Sequence, residues 1–517
     1  MKNKLIRLFY CLVILSPFLG LGQNNTFSPY SRYGIGEIAS VTPAHNQGMG
    51  GAFIALKPDS TMPNFLNIGN PASYALIKLT TLEVGGSFFY SQFRGQSANS
   101  SLNKWSANFG YGTLGFPIRG NGGACFGIMP YTNVGYDMQN GQTINAIGLI
   151  TDQYRGSGGF NKAFIGYGIM PFRKQLTRFN RKHLFVPDSM KRLSHTGFKV
   201  RQLFSKILSD LSLGVNVDYI FGNISNETNI SYPNIISYRN TYIGNFTSVS
   251  AVTGNFGLQS AITLDSITDH RGRRRRIEIE VEALKTKGIS GQELSIKRDS
   301  IEKHTPLHRR AMLNRVKFTF GYFMRLNNSL AATQSALVYN YSQDGTGAIT
   351  VPDTLVKTSN VSGKIQLPLE QGFGVGFKKG ERLNIVADFA LTNWQNFKFF
   401  DEANDFKNNY RVALGANFVP EKYAAGHGSF FKKVNYRIGC SYQTGYINIR
   451  NTVVSDKYVS LGVGIPVGIG RLSSMVNISG QLGQMGTTAN NLLKQNYFRV
   501  NFGFTFSDRW FQKFRYD

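Results

Sequence analysis

The chain has 517 residues, a formal net charge of +28, 17% charged residues, 13% aromatics and 56 glycines. That is long enough for a large core or a large barrel, and richer in strand and turn formers than in helix formers. Beyond the N-terminus no apolar run reaches the length of a membrane helix, so helical spans are excluded.

Residues 1–22 read as a signal peptide: Lys2, Lys4 and Arg7 precede the apolar run Leu8–Leu15, and Gly20-Leu21-Gly22 precedes Gln23. Cys11 lies inside the run without a lipobox, so no lipoprotein is expected. The mature chain keeps Cys125 and Cys440, far apart on predicted strands, too few thiols for a metal site and not a disulfide pair. Cys440 falls on the apolar face of its strand.

From Gln23 to about Thr80 the sequence is irregular and dense in Gly, Pro and Asn, with Gly48-Met49-Gly50-Gly51-Ala52 and Asn70-Pro71-Ala72-Ser73. Turn residues this dense do not make a strand ladder. The interspersed aromatics and aliphatics favour a packed segment over a disordered leader.

Fourteen strand candidates follow, at 81–93, 104–118, 122–137, 160–172, 210–222, 254–265, 315–342, 369–379, 382–394, 410–420, 433–445, 458–468, 473–486 and 496–507. The last is the clearest: Phe498, Val500, Phe502, Phe504 and Phe506 alternate with Arg499, Asn501, Gly503 and Thr505, a period of two. Leu211, Leu213, Val215, Val217, Tyr219 and Phe221 likewise oppose Ser212, Gly214, Asn216 and Asp218. The seventh candidate is twice the usual length and is taken as one strand kinked at Asn327-Asn328-Ser329, which keeps the even number of a bacterial barrel. Repetition of this alternation behind a secretion signal predicts an all-β fold: a transmembrane antiparallel β-barrel over 81–517, with residues 23–80 as a plug or hatch inside its lumen, in the outer membrane of a Gram-negative bacterium.

With both termini periplasmic, the external loops are 94–103, 138–159, 223–253, 343–368, 395–409, 446–457 and 487–495. Short periplasmic turns fall at Arg119–Asn121, Gly380–Glu381 and Ile469–Leu472. Two periplasmic inserts are long and basic: 173–209, with ten Lys/Arg against Asp188, and 266–314, with twelve Lys/Arg against seven acids. The excess charge is therefore local.

The runs Gly48–Ala52 and Asn70–Ser73, Gly156-Ser157-Gly158-Gly159 ahead of a strand, and the ending Asn496-Tyr497-Phe498 to Asp508-Arg509-Trp510-Phe511 resemble the FadL-type outer-membrane family of hydrophobic-compound transporters. The resemblance implies a fourteen-stranded barrel, a hatch containing Asn70, Pro71 and Ala72, and lateral release of hydrophobic molecules through the wall. The two basic inserts depart from the family's pattern. Some relatives are accessory barrels of protein-secretion machines.

Parity places Glu83, Asp218, Asp388, Arg411, Arg437 and Arg499 toward the lumen. Charges there need partners or water, and the reading preferred is that they hold the hatch, including Gly50 and Gly51, ahead of binding a ligand headgroup. In Arg271-Gly272-Arg273-Arg274-Arg275-Arg276 a nucleic-acid signature is weak for a secreted chain. Contact with anionic lipid or with an acidic protein partner suits the cluster better, and a solvated loop with no partner is the plain alternative. Ile277, Ile279 and Val281 alternate with Glu278, Glu280 and Glu282, which predicts a short amphipathic strand beside it.

No metal or cofactor is expected. His304 and His308 are four apart, but Pro306 opposes the helix that would align them. None of the seven His lies on a predicted barrel strand, and no Walker, His-Glu-x-x-His or nucleophile-elbow motif occurs, so no enzyme is expected. The function expected is passive uptake of hydrophobic small molecules such as long-chain fatty acids. The alternative is a non-transporting scaffold barrel of an envelope secretion or assembly machine, docking a periplasmic or envelope protein through its inserts.

Overall fold

The computed structural model describes residues 26–40, 42–58, 65–96, 101–118, 121–145, 148–172, 207–233, 238–264, 267–286, 288–289, 291–304, 316–343, 349–421, 430–469 and 472–508. The expected signal peptide, nearly all of the insert at 173–209, His308 and the tail past Asp508 lie outside the described residues.

Alternation of apolar with small or polar residues is laid down as a closed ring of fourteen antiparallel strands. They are β1 (Thr80–Arg94), β2 (Leu102–Ile118), β3 (Gly122–Pro130), β4 (Gly148–Ile169), β5 (Ser212–Ser231), β6 (Asn240–Leu264) and β7 (Val316–Arg325), then β8 (Glu370–Lys379), β9 (Leu383–Thr392), β10 (Asn409–Phe418), β11 (Asn435–Gln443), β12 (Asp456–Ile469), β13 (Leu472–Met485) and β14 (Lys494–Asp508). Each pairs with the next, and β14 closes on β1 in unbroken register from Thr80↔Asp508 to Arg94↔Lys494. Closure gives every strand of the ring a partner on both sides along at least part of its length.

The faces are inverted relative to a soluble sheet. On β14, Phe498, Phe502 and Phe504 are exposed while Asn501, Thr505 and Ser507 are buried. On β5, Val215, Val217 and Tyr219 point outward and Asn216 and Asp218 inward. Cys440 is exposed on the outer face and Cys125 buried.

Two expected strands are in fact broken. The candidate at 122–137 ends its run in the wall at Pro130, and a separate strand, Thr132–Ile144, leaves the wall. The candidate at 315–342 is not one kinked strand: β7 stops at Arg325, and Ser329–Gln343 pairs instead with the far half of β6 and with a strand at Ile349–Gln366. The ring still counts fourteen because the second piece stands outside it. Much of the expected loops at 138–159, 223–253 and 343–368 is likewise strand, with β4, β5 and β6 running well past the wall. Ile349–Gln366 is exposed on nearly every residue, so nothing selects a period of two there, whereas along Phe246–Thr253 burial alternates but the buried face carries Thr247 and Thr253 beside Val249 and so shows no apolar period.

Within the second basic insert, the residues expected as a short strand form a helix, Ile267–Thr286, followed by a second, Gly291–His304. Ile277 and Val281 are buried and Ile279 is exposed. Spacing of four rather than two selects the packed face, and Arg, Glu, Leu and Lys are all good helix formers.

Candidate functional site

Residues 42–57 and 65–77 are almost wholly buried and touch the inward faces of strands on all sides of the ring. Helix Ala44–Gln47 packs on β12, β13 and β14, and the 3₁₀ helix Pro71–Leu76 on β2 to β6. Asn70 caps the latter, its Oδ1 accepting from Ala72 N at 3.2 Å while its Nδ2 donates to Ile54 O at 2.8 Å. Pro71 and Ala72 lie so close to β5 that a Cβ at Gly214 would sit 2.2 Å from the Pro71 carbonyl carbon. Gly50 and Gly51 hold consecutive positive φ of 67° and 70°, a turn other residues resist. There the Ser460 Oγ accepts from Gly50 N at 2.9 Å and the Tyr458 hydroxyl donates to Gly50 O at 3.0 Å.

Of the charged wall residues, Asp388, Glu83 and Arg411 bond this segment directly, while Asp218 and Arg437 bond other wall residues. Asp388 Oδ2 accepts from the backbone N–H of Phe53 at 2.6 Å and of Ile54 at 2.8 Å. Glu83, with no exposed surface, accepts from Leu66 N, Tyr111 Oη and His45 Nδ1 at 3.1–3.2 Å. Arg411 Nη1 donates to Gly51 O at 3.2 Å and its guanidinium lies over the Phe53 ring. Arg437 binds Asn417 and Asn477 across the wall, below Gly48. Asp218 bonds Asn255 and pairs with Lys162 at 3.5 Å. Arg499 stacks on Phe89 and lies 3.9 Å from Glu37.

Sequence reasoning missed His45, Lys162, Arg325 and Glu370, the last two paired at 2.6 Å. Arg325 has the parity of buried Phe323, a signal hidden by treating 315–342 as one strand. Lys162 sits between the buried Phe160 and Phe164, where the inward face is itself aromatic. His45 sits in a segment with no period to assign its direction. In that segment burial holds the His45 imidazole below its ordinary value, against the opposing pull of Glu83, and pushes the Tyr30 hydroxyl up to about 12. Arg273, Arg274, Arg275 and Arg276 lie in the helix Ile267–Thr286, far along the chain from this cluster, with Arg274 exposed.

Beside the N-terminal segment is a cavity of about 300 Å³, lined by Tyr30, Phe89, Phe109, Tyr131, Trp394 and Tyr446 together with Arg325, Arg411 and Arg499. Trp394 and Tyr446 stack at 3.9 Å, and the Tyr446 hydroxyl donates to Gly36 O, closing one end. Arg411 has no ion-pair partner among the described residues. The cavity also meets an interruption in the wall. β2 pairs with β3 only through 112–118, so among the described residues no strand pairs with 102–111 on that side. The neighbouring chain turns inward after Pro130, where Thr132 and Asn133 pair with Ile38 and Glu37. Both borders of this gap, Asn108–Tyr111 and Pro130–Asn133, contribute to the cavity lining.

A protein-family profile described as BamG matches residues 1–177 and 305–517, most of the chain. The chain belongs to the BamG family. Among curated proteins none matches this sequence. The family match skips the stretch holding β5, β6 and most of both long inserts. Solved structures alike in layout include the Pseudomonas putida toluene transporter TodX (13% identity, TM-score 0.46, covering 92% of this chain and all of that one). The Ralstonia pickettii toluene transporter TbuX (10%, 0.44, 90% and 98%) and a Pseudomonas aeruginosa FadL homologue (11%, 0.44, 91% and 98%) are similar.

Proposed function

We propose that this BamG-family chain is an outer-membrane barrel that takes up hydrophobic small molecules passively. The observation that carries the reading is the junction of cavity and wall gap: an aromatic chamber with one border in the lumen and the other at the outer, apolar face of the ring. A ligand would enter from the looped end, rest between Phe89, Phe109 and Tyr131, and leave sideways between β2 and the inward-turning Tyr131 into the bilayer. Residues 42–57 and 65–77 would act as the hatch that denies it a straight path through the lumen. Arg411 suits a carboxylate head, as in a long-chain fatty acid, because its only hydrogen-bond partner among the described residues is the neutral carbonyl of Gly51.

The test is Asn108→Trp, which puts a bulky ring on the gap's border. Transfer of a fluorescent fatty acid across proteoliposomes is expected to fall at least about tenfold, while binding measured in detergent persists. Unchanged transfer would remove the lateral route. A second reading, a scaffold barrel of an envelope machine, is favoured by the family being BamG and by the helices Ile267–Thr286 and Gly291–His304 at the short-turn end. It predicts a stoichiometric partner in a mild-detergent pull-down that is lost on deleting 267–304, with transfer unaffected.

A further inference from the structure

At the end of the ring that carries the short turns, the arc from β7 to β11 concentrates cations. Lys317 lies opposite Lys378 in the β7–β8 register, and Lys379 and Arg382 are exposed at the turn into β9. Val419 N donates to the Arg382 carbonyl and Glu421 N to the Lys432 carbonyl, both at 2.8 Å, so the backbone joins these positions into one edge. Lys432 and Lys433 end the short helix Phe430–Lys433. Two acids, Glu381 and Glu421, share the arc, the second 3.7 Å from Lys432. Of the other described strand ends at this level, Ile118, Gly122, Ile169 and Asp508 are not cations, the start of β1 has the single exposed Lys78 beside it, and the end of β6 leads into the basic helix Ile267–Thr286.

Next to the cations stands an apolar feature that a water-facing turn would not keep. Phe430 and Phe431 are 49% and 70% exposed, their rings edge to face at 5.4 Å. The Tyr436 hydroxyl donates to the Phe431 carbonyl at 3.1 Å, tying the turn to the outward face of β11. The pair therefore continues the exposed apolar surface of Phe418, Tyr436 and Ile438 rather than any lumen surface. Aromatics at the end of an outward apolar band, with cations behind them, match the headgroup level of a bilayer.

We propose that this arc binds anionic phospholipid headgroups of the leaflet on the short-turn side. Phe430 and Phe431 enter the boundary between headgroups and acyl chains, and Lys379, Arg382, Lys432 and Lys433 hold the phosphates. The inference rests on the membrane-barrel reading above. An acidic protein would satisfy the cations equally, but would leave the Phe pair, continuous with the outer wall, unexplained.

The experiment uses the full chain in nanodiscs of mixed phosphatidylcholine and phosphatidylglycerol, with retained lipid identified by native mass spectrometry. Phosphatidylglycerol is expected to be enriched, and Lys379→Gln/Arg382→Gln/Lys432→Gln/Lys433→Gln is expected to lose about tenfold or more of it, since each cation near an anionic surface is worth roughly fivefold. Removing four lysines at the opposite end (Lys357, Lys364, Lys398, Lys407) is expected to change nothing. In parallel, Phe431→Trp in a background with Trp105, Trp394 and Trp510, the chain's three tryptophans, all replaced by Phe is expected to be quenched by brominated lipid. Equal lipid retention by the two quadruple variants overturns the site. So does an unquenched Trp probe at position 431 while Trp105, 68% exposed on the wall, is quenched in a Trp394→Phe/Trp510→Phe chain. An unquenched Trp105 would instead sink the membrane reading itself.

Discussion

His45 is where a single proton is coupled to the seating of the N-terminal segment. Its ring packs edge-on against Phe65 at 4.7 Å, and the neutral imidazole donates from Nδ1 to Glu83, leaving Nε2 buried without a partner. Burial lowers its proton affinity below the free value of 6.5. With the folded value depressed, the released state binds more protons than the seated one below pH 6.5, so stability is full above that pH and declines as pH falls. Protease cleavage within 42–77 is therefore expected to rise on acidification below 6.5, and His45→Gln is expected to flatten that dependence. A wild-type profile flat down to the carboxylate range would remove the coupling. Asp388 is the stronger anchor, since it serves two backbone amides that have no water to turn to. Asp388→Ala is expected to cost about 2–4 kcal/mol, read as a lower urea midpoint with the segment exposed to protease, because an orphaned buried donor costs about 1–3 kcal/mol. Of these contacts, parity could place Asp388 and Glu83 toward the lumen, but nothing in the sequence could say which amide each would meet.

Strand elements were legible wherever one face met an apolar surround and the other did not. That condition holds for the last strand, where Phe498, Phe502 and Phe504 are outward and Asn501 inward, and fails beyond the wall. Ile349–Gln366 is exposed on nearly every residue to both sides, so its Val, Thr and Ile keep strand propensity without a period. The break after Pro130 was hidden for a different reason: Thr132–Ile144 continues the strand pattern while changing partners, and a change of partner leaves no mark in one sequence. Helix Ile267–Thr286 was misread because six residues of strict alternation satisfy a strand, while Ile277, Val281 and Leu284 satisfy a helix over a longer window. These two helices pack on each other. Deleting 267–304 is therefore expected to leave the ring intact, seen as unchanged heat-modifiable migration and an unchanged unfolding midpoint. Loss of the folded band would mean that the hairpin supports the wall.

At the scale of the whole molecule, one solvent relation orders everything else: large apolar side chains outside, charges and small residues inside, and a segment of the same chain packed against the inner face. This arrangement makes sense only if the outer surround is itself apolar, because in water dozens of exposed Phe, Val, Ile and Leu side chains would each lose the stabilisation that burial normally supplies. Val217 and Val361 allow the inference to be tested without changing chemistry or exposure. Both are 51% exposed; Val217 lies midway along the wall part of β5, whereas Val361 lies in the sheet beyond the wall. In a soluble protein arginine at either site would be close to neutral. In a membrane barrel Val217→Arg is expected to cost about 2–4 kcal/mol, the penalty for an arginine near the bilayer midplane, and Val361→Arg close to nothing. Reversible urea unfolding from lipid vesicles measures both. Equal and small effects would show that the ring does not face lipid at Val217, and both the lateral exit beside Tyr131 and the headgroup arc at β7–β11 would then lose the surface on which they depend.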